Sequence, residues 1–449
     1  MPRINRRKFI SLTGAAGAAG LAGCSGDSGT DGGTESGTED GTDSGTDSST
    51  ESDTDSGTDG GTDGSSESVE SREINIGTLL PASGQLAGIG STMVDAADLA
   101  FSTVDENSQY FSVNATFGDS QSTASDGISA ANALANAGVP AIIGGASTNV
   151  HIAASEQVFI PNGMCACSPS ATAVSISDIE DDGLLFRTTP SDALQGRAMA
   201  QYATEGLSAS TASVLHVNDD YGSALSGSFV SAYENAGGTV QEEVSYETAA
   251  TSYTSRISAA VQNDPDLLAV VGYAESGIQL FRDYYAQFRE DRNIMTVDGL
   301  NTARVPNEVG RSMENVVGTA PLVTGPGQET FSSMYQDAFD AEPGAFNLQT
   351  FDAAAVLMLA NAKAGENDGV AISEQMQAVA NEGEMTVSPE NLAAGVDAAA
   401  EGEDVVYEGA SSQVQFADDG DLQSGSFEIW AYAPDTERGI ETVQTIDLE

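Results

Sequence analysis

The stretch that decides the fold is residues 73–90, "EINIGTLLPASGQLAGIG". Its first half is a short run rich in isoleucine and leucine, which is typical of a β-strand, and the Pro, Ser and Gly that follow are turn formers. From residue 89 to residue 105 the apolar residues recur at helical spacing on one face, namely Met93, Ala96, Ala97, Ala100 and Phe101. The stretch therefore predicts a strand, a polar loop at its carboxyl end, and a helix.

The same unit recurs along the chain. Further strands are indicated by "YFSVNATFGDS", "VPAIIGGAS", "ASVLHVNDD", "LLAVVGYAES" and "NIMTVDGL". Helices are predicted near 191–206, 221–236, 252–263 and 276–289. Strands that alternate with helices favour parallel sheets with right-handed crossovers. Because the pattern is too long for one sheet and restarts after residue 188, we predict a protein with two α/β lobes.

The charge of the chain is extreme. It has 449 residues, with 68 acidic residues against 15 basic ones, a net charge of −53, and Lys8 and Lys363 are its two lysines. Acidic excess with few lysines is typical of proteins that work in molar salt, so we interpret the chain as a haloarchaeal-like protein. A generic acidic, disordered chain is the alternative, but 40% hydrophobic residues favour a real core. Such a charge argues against nucleic-acid binding.

The N-terminus has the features of an export signal. Residues 1–23 resemble a twin-arginine lipoprotein signal peptide, with an arginine pair, a moderately apolar run and the lipobox-like "LAGC" that ends at Cys24. Residues 24–72 are then a lipidated cysteine followed by an acidic Gly/Ser/Thr/Asp tether that we expect to be disordered. The alternative is a basic N-terminus that arose by chance and a structural cysteine. We predict a protein exported and anchored to the outer face of the cytoplasmic membrane by the lipid on Cys24.

No pattern indicates catalysis or metal binding. The other cysteines, Cys165 and Cys167, are two residues apart in a strand and point to opposite faces, so they are expected to be small buried residues. His151 and His216 belong to no metal-ligand motif, and there is no serine nucleophile elbow. We therefore expect no metal, no cofactor and no enzymatic activity.

Polar loops follow the predicted strands at their carboxyl ends. They are "PASGQLAG", "GGASTN", "SPSAT", "NDDYG", "GYAESG" and "DGLN". Ligands of parallel sheets bind at this edge of the strands. Loops from two lobes predict one ligand cleft between them, although this argument does not name the ligand.

The loops and helices together carry a family resemblance. "IGTLLPASGQLAGIG", "GGASTNV", "SPSAT", "FRTTPSDALQGRAMAQY", "NDDYG" and "VVGYAESG" occur in the order and spacing of a known family. Over about residues 73–435 the chain resembles the leucine/isoleucine/valine-binding protein family, the substrate-binding components of branched-chain amino acid ABC transporters. The resemblance implies a type I periplasmic-binding fold, with two Rossmann-like lobes of parallel sheets joined by three hinge crossovers. It places 73–188 and 322–410 in the N-terminal lobe, and 189–321 and 411–449 in the C-terminal lobe.

The resemblance also implies a set of ligand contacts in the first lobe. Ser147 and Thr172 correspond to the hydroxyl residues that hold the ligand carboxylate, assisted by the backbone of Ser170. Leu86 and Ala87 correspond to the loop that faces the ligand side chain. Ser147 and Thr172 are alternatively simple helix caps.

Three further residues are implied in the second lobe. Tyr221 and Tyr273 line it, and Asp298 binds the ligand ammonium. The tyrosines are alternatively interlobe packing residues, and Asp298 a turn aspartate. Glu275 is a second acidic candidate, or a residue of a helix first turn.

The function implied is that of a solute-binding lipoprotein that delivers a small amino acid, of branched-chain type or a related amide or polar solute, to an ABC permease. The alternatives are a ligand sensor of the same fold coupled to a signalling partner, and an enzyme. Selectivity among ligands depends on pocket volume, which the sequence does not give. Separately, "NAT" at Asn114 matches an N-glycosylation sequon.

Overall fold

The computed structural model describes residues 69–436 and 439–448. The predicted signal peptide, Cys24 and the tether as far as residue 68 lie outside the described residues. The first strand begins at Arg72, and Val69 already packs against the hydrophobic core. The folded chain therefore begins a few residues before the predicted boundary at Glu73.

The first lobe is built on a five-stranded parallel sheet of order β2-β1-β3-β4-β5. Its strands are β1 (Arg72–Leu80), β2 (Phe111–Asp119), β3 (Ala141–Gly144), β4 (Cys165–Ser168) and β5 (Leu185–Arg187). The central strand β3 reads "AIIG" and is buried throughout, as expected of a parallel sheet with both faces covered. Asn114 of the sequon is exposed on the edge strand β2.

Helices from two separate parts of the chain cover this sheet. They are α1 (Ala87–Asn107), α2 (Ala124–Asn136) and α3 (Thr148–Ala154), and after the second lobe α9 (Gln328–Phe339), α10 (Asn347–Ala364), α11 (Gly369–Ala380) and α12 (Leu392–Ala400). The α10 helix is buried on nearly every side, because α1, α11 and α12 pack around it. A small parallel pair, β11 (Met385–Val387) and β12 (Val405–Tyr407), flanks α12.

The second lobe has a seven-stranded sheet of order β14-β13-β10-β9-β8-β6-β7. Its parallel strands are β6 (Thr211–Val217), β7 (Thr239–Tyr246), β8 (Leu267–Val271), β9 (Asn293–Thr296) and β10 (Val316–Pro321). Two antiparallel strands, β13 (Gly425–Tyr432) and β14 (Ile440–Leu448), extend it at one edge. Its helices are α4 (Asp192–Gln201), α5 (Asp220–Asn235), α6 (Thr254–Ala260), α7 (Ala274–Gln287) and α8 (Arg304–Val309). The predicted α/β class with two Rossmann-like lobes is confirmed.

The chain passes between the lobes three times, and the third passage comes later than the sequence predicts. Val414, Phe416 and Leu422 belong to the core of the first lobe. The backbone of Phe416 also exchanges two hydrogen bonds with the Asn381 side chain, at 2.7 and 2.8 Å. Because these apolar residues are buried against the first lobe, the crossover falls between Leu422 and β13, not after residue 410.

Two carboxylates, the buried Asp352 and the partly buried Asp421, fasten this third segment to the first lobe. Asp352 on α10 accepts hydrogen bonds from the Tyr407 hydroxyl at 2.7 Å and from the Ser411 backbone at 2.7 Å. Asp421 accepts from the buried Arg187, whose Nη2 lies 2.6 Å from Oδ2. Loss of Asp421 would leave the buried Arg187 charge uncompensated, and loss of Asp352 would leave several buried donors unpaired, so these contacts fix the start of the crossover.

Within residues 69–436 and 439–448, no helix combines the length and the apolar character needed to cross a membrane. Cys165 and Cys167 are buried free thiols, as the sequence predicts, and burial raises the pKa of both.

Candidate functional site

A cavity of about 40 Å³ lies between the two lobes at the carboxyl ends of their strands. The first lobe contributes the loops after β1, β3 and β4 and the residue before α10, and the second lobe contributes the starts of α5 and α7 and the turn after β9. Its lining residues are Pro81, Leu86, Ile89, Gly90, Met93, Ala146, Ser147, Thr148, Ser170, Tyr221, Tyr273, Asp298, Gly299 and Phe346. The predicted convergence of strand-end loops from two lobes is therefore observed.

The lobes touch on both sides of this cavity. Leu86 of the first lobe packs against the core of the second. Ala224 on α5 packs against a small cluster of the first lobe that includes Ala171 and Ala173. These contacts make the conformation a closed one, in which charges in the cleft are poorly screened.

Ser147 precedes α3 at the N-cap position, but its hydroxyl makes no capping hydrogen bond. The residue is 7% exposed, and its Oγ has no partner among the described residues. A buried hydroxyl without a partner is costly, so this side chain is available to a ligand rather than used for the helix.

The neighbouring loop after β4 is held in place by two serines. The Ser168 hydroxyl donates to the carbonyl of Gly145 at 2.8 Å, and the Ser170 hydroxyl donates to the carbonyl of Ala146 at 2.7 Å. The loops after β3 and β4 are thereby tied together. The Ser170 hydroxyl is committed to the backbone, and the backbone N–H of Ser170 already donates to the Ser168 hydroxyl oxygen over a long 3.4 Å, so a ligand would have to share that donor.

Thr172 lies beside the cavity but does not line it. It is buried, its hydroxyl caps no helix, and that hydroxyl lies near enough to the Asp192 carboxyl to oppose the rise of its pKa. The threonine that lines the cavity, beside Ser147 and Ser170, is Thr148, which sequence reasoning missed. Its position directly after Ser147, at the start of a helix that follows a strand-end loop, is the signal that could have identified it.

Two tyrosines form the opposite wall. The rings of Tyr221 and Tyr273 are stacked, with centroids 5.5 Å apart. The Tyr273 hydroxyl donates to Asp219 at 2.9 Å, and Asp219 also accepts from the backbone of Gly222 at the start of α5. Both tyrosines are thus fixed in orientation at the cleft, and each also contributes to packing.

Asp298 is the acidic group of the cavity. It is 6% exposed, and its Oδ1 accepts hydrogen bonds from Gln195 at 2.8 Å and from the Tyr221 hydroxyl at 3.2 Å. No salt bridge involves it within the described part of the chain. Burial raises the pKa of its carboxyl, and the two hydrogen bonds oppose that rise. A buried carboxylate without a cationic partner attracts a cation from outside.

Glu275, the alternative acidic candidate, lies elsewhere. It is exposed in the first turn of α7 and pairs with Arg304, whose Nη2 is 3.0 Å from the carboxylate. Its role is that of a surface ion pair.

The remaining wall is apolar. Leu86 lines the cavity as the sequence predicts, whereas Ala87, the first residue of α1, is not among the lining residues. Ile89 and Met93 continue the wall along α1, and the helical spacing after Leu86 could have indicated them. Phe346 also lines this wall, although it is more than two hundred residues from α1 in the sequence, and no local pattern predicted its position in the cavity.

Comparison with known families agrees with this geometry. Residues 73–401 match the periplasmic binding protein family, and this chain belongs to it. The match covers both lobes and the first two crossovers.

Individual relatives give the same result. A Leu/Ile/Val-binding protein homolog of Brucella melitensis is 28% identical over 180 residues, which are 39% of this chain and 47% of that protein. A second such homolog, of Brucella suis, is 26% identical over 68% of this chain and 82% of its own. Among solved structures, a leucine-binding protein of Thermotoga maritima superposes with a TM-score of 0.70 at 21% identity, over 83% of this chain and 98% of that chain. This last likeness shows the fold.

Proposed function

We propose that the chain is the extracytoplasmic solute-binding protein of an ABC importer, and that its ligand is a small amino acid of branched-chain type. The observation that carries the proposal is the cavity itself, in which a buried carboxylate from one lobe is combined with the unpartnered Ser147 hydroxyl from the other. The two groups of an α-amino acid carry opposite charges, and each is complementary to one of these walls.

The ammonium group is assigned to the second lobe. Asp298 has one carboxylate oxygen engaged by Gln195 and Tyr221, and an ammonium donates three hydrogen bonds that suit the other. In the closed cleft such a charge-assisted bond is stronger than in water.

The carboxylate group is assigned to the first lobe. The hydroxyls of Ser147 and Thr148, together with backbone groups of the loop that contains Ser170, line that side. Hydroxyls and peptide N–H groups bind an anion without titrating. Thr172 belongs to the same loop and comes within reach if the loop shifts on binding.

The aliphatic side chain is assigned to the wall formed by Leu86, Ile89, Met93 and Phe346. Apolar surface buried there contributes about 25 cal/mol per Å². The relatives named for leucine, isoleucine and valine support this class. A ligand sensor of the same fold is the alternative, and no specific contact in the described residues favours it.

The N-terminal segment completes the proposal. A twin-arginine signal, lipidation at Cys24 and an acidic tether would hold the receptor at the outer face of the membrane, where it meets the permease. The acidic surface fits a protein that is exported already folded from a salty cytoplasm.

The test is calorimetry of the full chain in molar KCl with a series of related ligands. The series is alanine, valine, isoleucine and leucine, together with leucinamide, which lacks the carboxylate, and 4-methylpentanoate, which lacks the ammonium. We expect binding of at least one aliphatic amino acid and at least 30-fold weaker binding of both truncated compounds. Equal binding of 4-methylpentanoate and leucine would remove Asp298 from its role.

A further inference from the structure

A second and larger cavity lies at the hinge, on a different set of residues from the ligand cleft. It measures about 280 Å³ against about 40 Å³ for the cleft. All three crossovers line it, with Thr188 from the first, Leu322 from the second, and Leu422 and Ser426 from the third. Its shape therefore depends on the angle between the lobes.

Hydrogen bonds between the crossovers define its walls. The Thr188 hydroxyl donates to the carbonyl of Gln349 on α10 at 2.8 Å. The backbone N–H of Leu322 donates to the carbonyl of Ser426 at 2.7 Å, and that of Thr324 donates to the carbonyl of Ser411 at 2.9 Å. The second and third crossovers thus move together, and the cavity lies between them and the first.

The lining is polar, neutral and incompletely hydrogen-bonded. None of its residues carries a charge. Gln349 is 4% exposed, yet its Oε1 has no partner among the described residues, and the same holds for the Ser412 hydroxyl oxygen. The Gln349 oxygen accepts hydrogen bonds, and the Ser412 hydroxyl both donates and accepts, so the pair suits a molecule that carries hydroxyl groups.

We propose that this hinge cavity binds a small neutral polyol. Hydroxyl groups satisfy the acceptors of Gln349 and Ser412, and the carbon–hydrogen faces of such a molecule match the apolar walls of Pro190 and Leu322. A charged ligand finds no counter-charge in the lining, and burying it there would be costly. The volume of about 280 Å³ leaves room for a molecule of a few carbon atoms together with waters.

Such a ligand acts on the lobes through their hinge. If it binds the closed arrangement better than an open one, it shifts the population toward closure, and by linkage it raises the affinity of the cleft for its own ligand. The binding of a polyol stands on the hinge geometry alone, whereas the coupling rests on the proposed amino-acid function.

The experiment measures the melting temperature of the full chain in molar KCl against erythritol concentration. Polyols stabilise every protein by exclusion from its surface, which gives a response without saturation. We expect an additional, saturating rise in the wild type. Gln349→Met retains the size of the side chain but removes the amide, so it should lose the saturating part. The matched control is Gln262→Met, an exposed glutamine in the second lobe that lines neither cavity.

The outcomes separate the two claims. If the melting temperature rises without saturation in all three proteins, the polyol site is overturned. The same conclusion holds if KCl, titrated in place of erythritol, gives the saturating rise. Should Gln349→Met fail to fold, Ser412→Ala replaces it, with the same expected loss. In calorimetry, saturating erythritol should tighten leucine binding at least threefold in the wild type and not in Gln349→Met. If the melting temperature responds with saturation but the leucine affinity is unchanged, the coupling alone is overturned. If no amino acid binds, the proposed function is overturned, and the melting response still decides whether the hinge site exists.

Discussion

Replacing Asp298 by asparagine separates the charge of the binding cleft from its shape. The amide oxygen of the introduced asparagine can still accept from Gln195 and Tyr221, which contact the aspartate Oδ1 at 2.8 and 3.2 Å. The cleft stays closed and the hydrogen-bond network stays in place. Only the negative charge offered to an ammonium group is lost.

The magnitude follows from the burial of the site. Asp298 is 6% exposed in a cleft that both lobes cover. Truncating one member of a buried, hydrogen-bonded charge pair costs 2–5 kcal/mol or more, and because asparagine retains one neutral hydrogen bond we take about 3 kcal/mol. At 1.4 kcal/mol per factor of ten, this corresponds to a loss of affinity on the order of 100-fold.

The stability of the ligand-free protein should change in the opposite direction. Burial raises the pKa of the Asp298 carboxyl, which means that the folded state disfavours its charged form. A neutral amide avoids that cost, so Asp298→Asn should melt at the same temperature as the wild type or higher.

The assay is calorimetric titration with the tightest-binding amino acid in molar salt, together with the melting temperature of the ligand-free protein. Asp397→Asn is the matched control, because Asp397 is a buried carboxylate that accepts hydrogen bonds from Ser108 and Gln109 in the first lobe and does not line the cavity. Unchanged affinity in Asp298→Asn, or an equal loss in Asp397→Asn, would refute the assignment of the ammonium site.

Four further predictions follow from particular residues. Burial raises the pKa of Asp192 to about 7, so the folded state keeps a proton that the unfolded state has lost, and the free energy of unfolding should fall as the pH rises from about 4 to about 7. In denaturant titrations, Asp192→Asn should reduce that fall by up to about 4 kcal/mol at about pH 7 and above, and by little at about pH 4. Tyr221→Phe deletes the 3.2 Å hydrogen bond to Asp298 and should weaken amino-acid binding by roughly 10-fold or less in calorimetry, so a loss beyond that of Asp298→Asn would contradict its supporting role. Phe346→Ala enlarges the cavity at its apolar wall and should shift the binding preference toward ligands with larger side chains; an unchanged rank order of affinities in the ligand series would contradict this role. Cys24→Ser should release the protein from cells into the medium, as measured by immunoblotting of membrane and medium fractions, and retention on membranes would defeat the lipobox interpretation.

Most of the fold was predictable because its strands and helices are determined by residue type and short-range spacing. The strand and helix of residues 72–107 follow from apolar runs and helical spacing, and helix α5 begins at the Asp219 side chain, which accepts from Gly222 at 2.8 Å. The last crossover was misplaced because the turn-rich segment after residue 410 has no periodic pattern, and burial of Phe416 against a distant helix decides its lobe.

The residues of the candidate site also fall into those that the sequence could predict and those that it could not. Leu86, Ser147, Tyr221 and Asp298 stand at strand ends, and the sequence could assign them to one cleft. Phe346 could not be assigned, because it reaches the cavity through the return of the chain to the first lobe.

The sequence by itself determined the alternation of strands and helices, the polar loops at the carboxyl ends of the strands and the large net negative charge, and it predicts an export signal that lies outside the described residues. These properties depend on residue type and short-range spacing, which the chain carries along its length. The tertiary structure decided which hydroxyl lines the cleft, Thr148 rather than Thr172, and it revealed the hinge cavity around Gln349. The lining of the cleft and the hinge cavity both depend on how segments distant in sequence pack against one another. Packing between the lobes produces no periodic pattern of residues in the sequence.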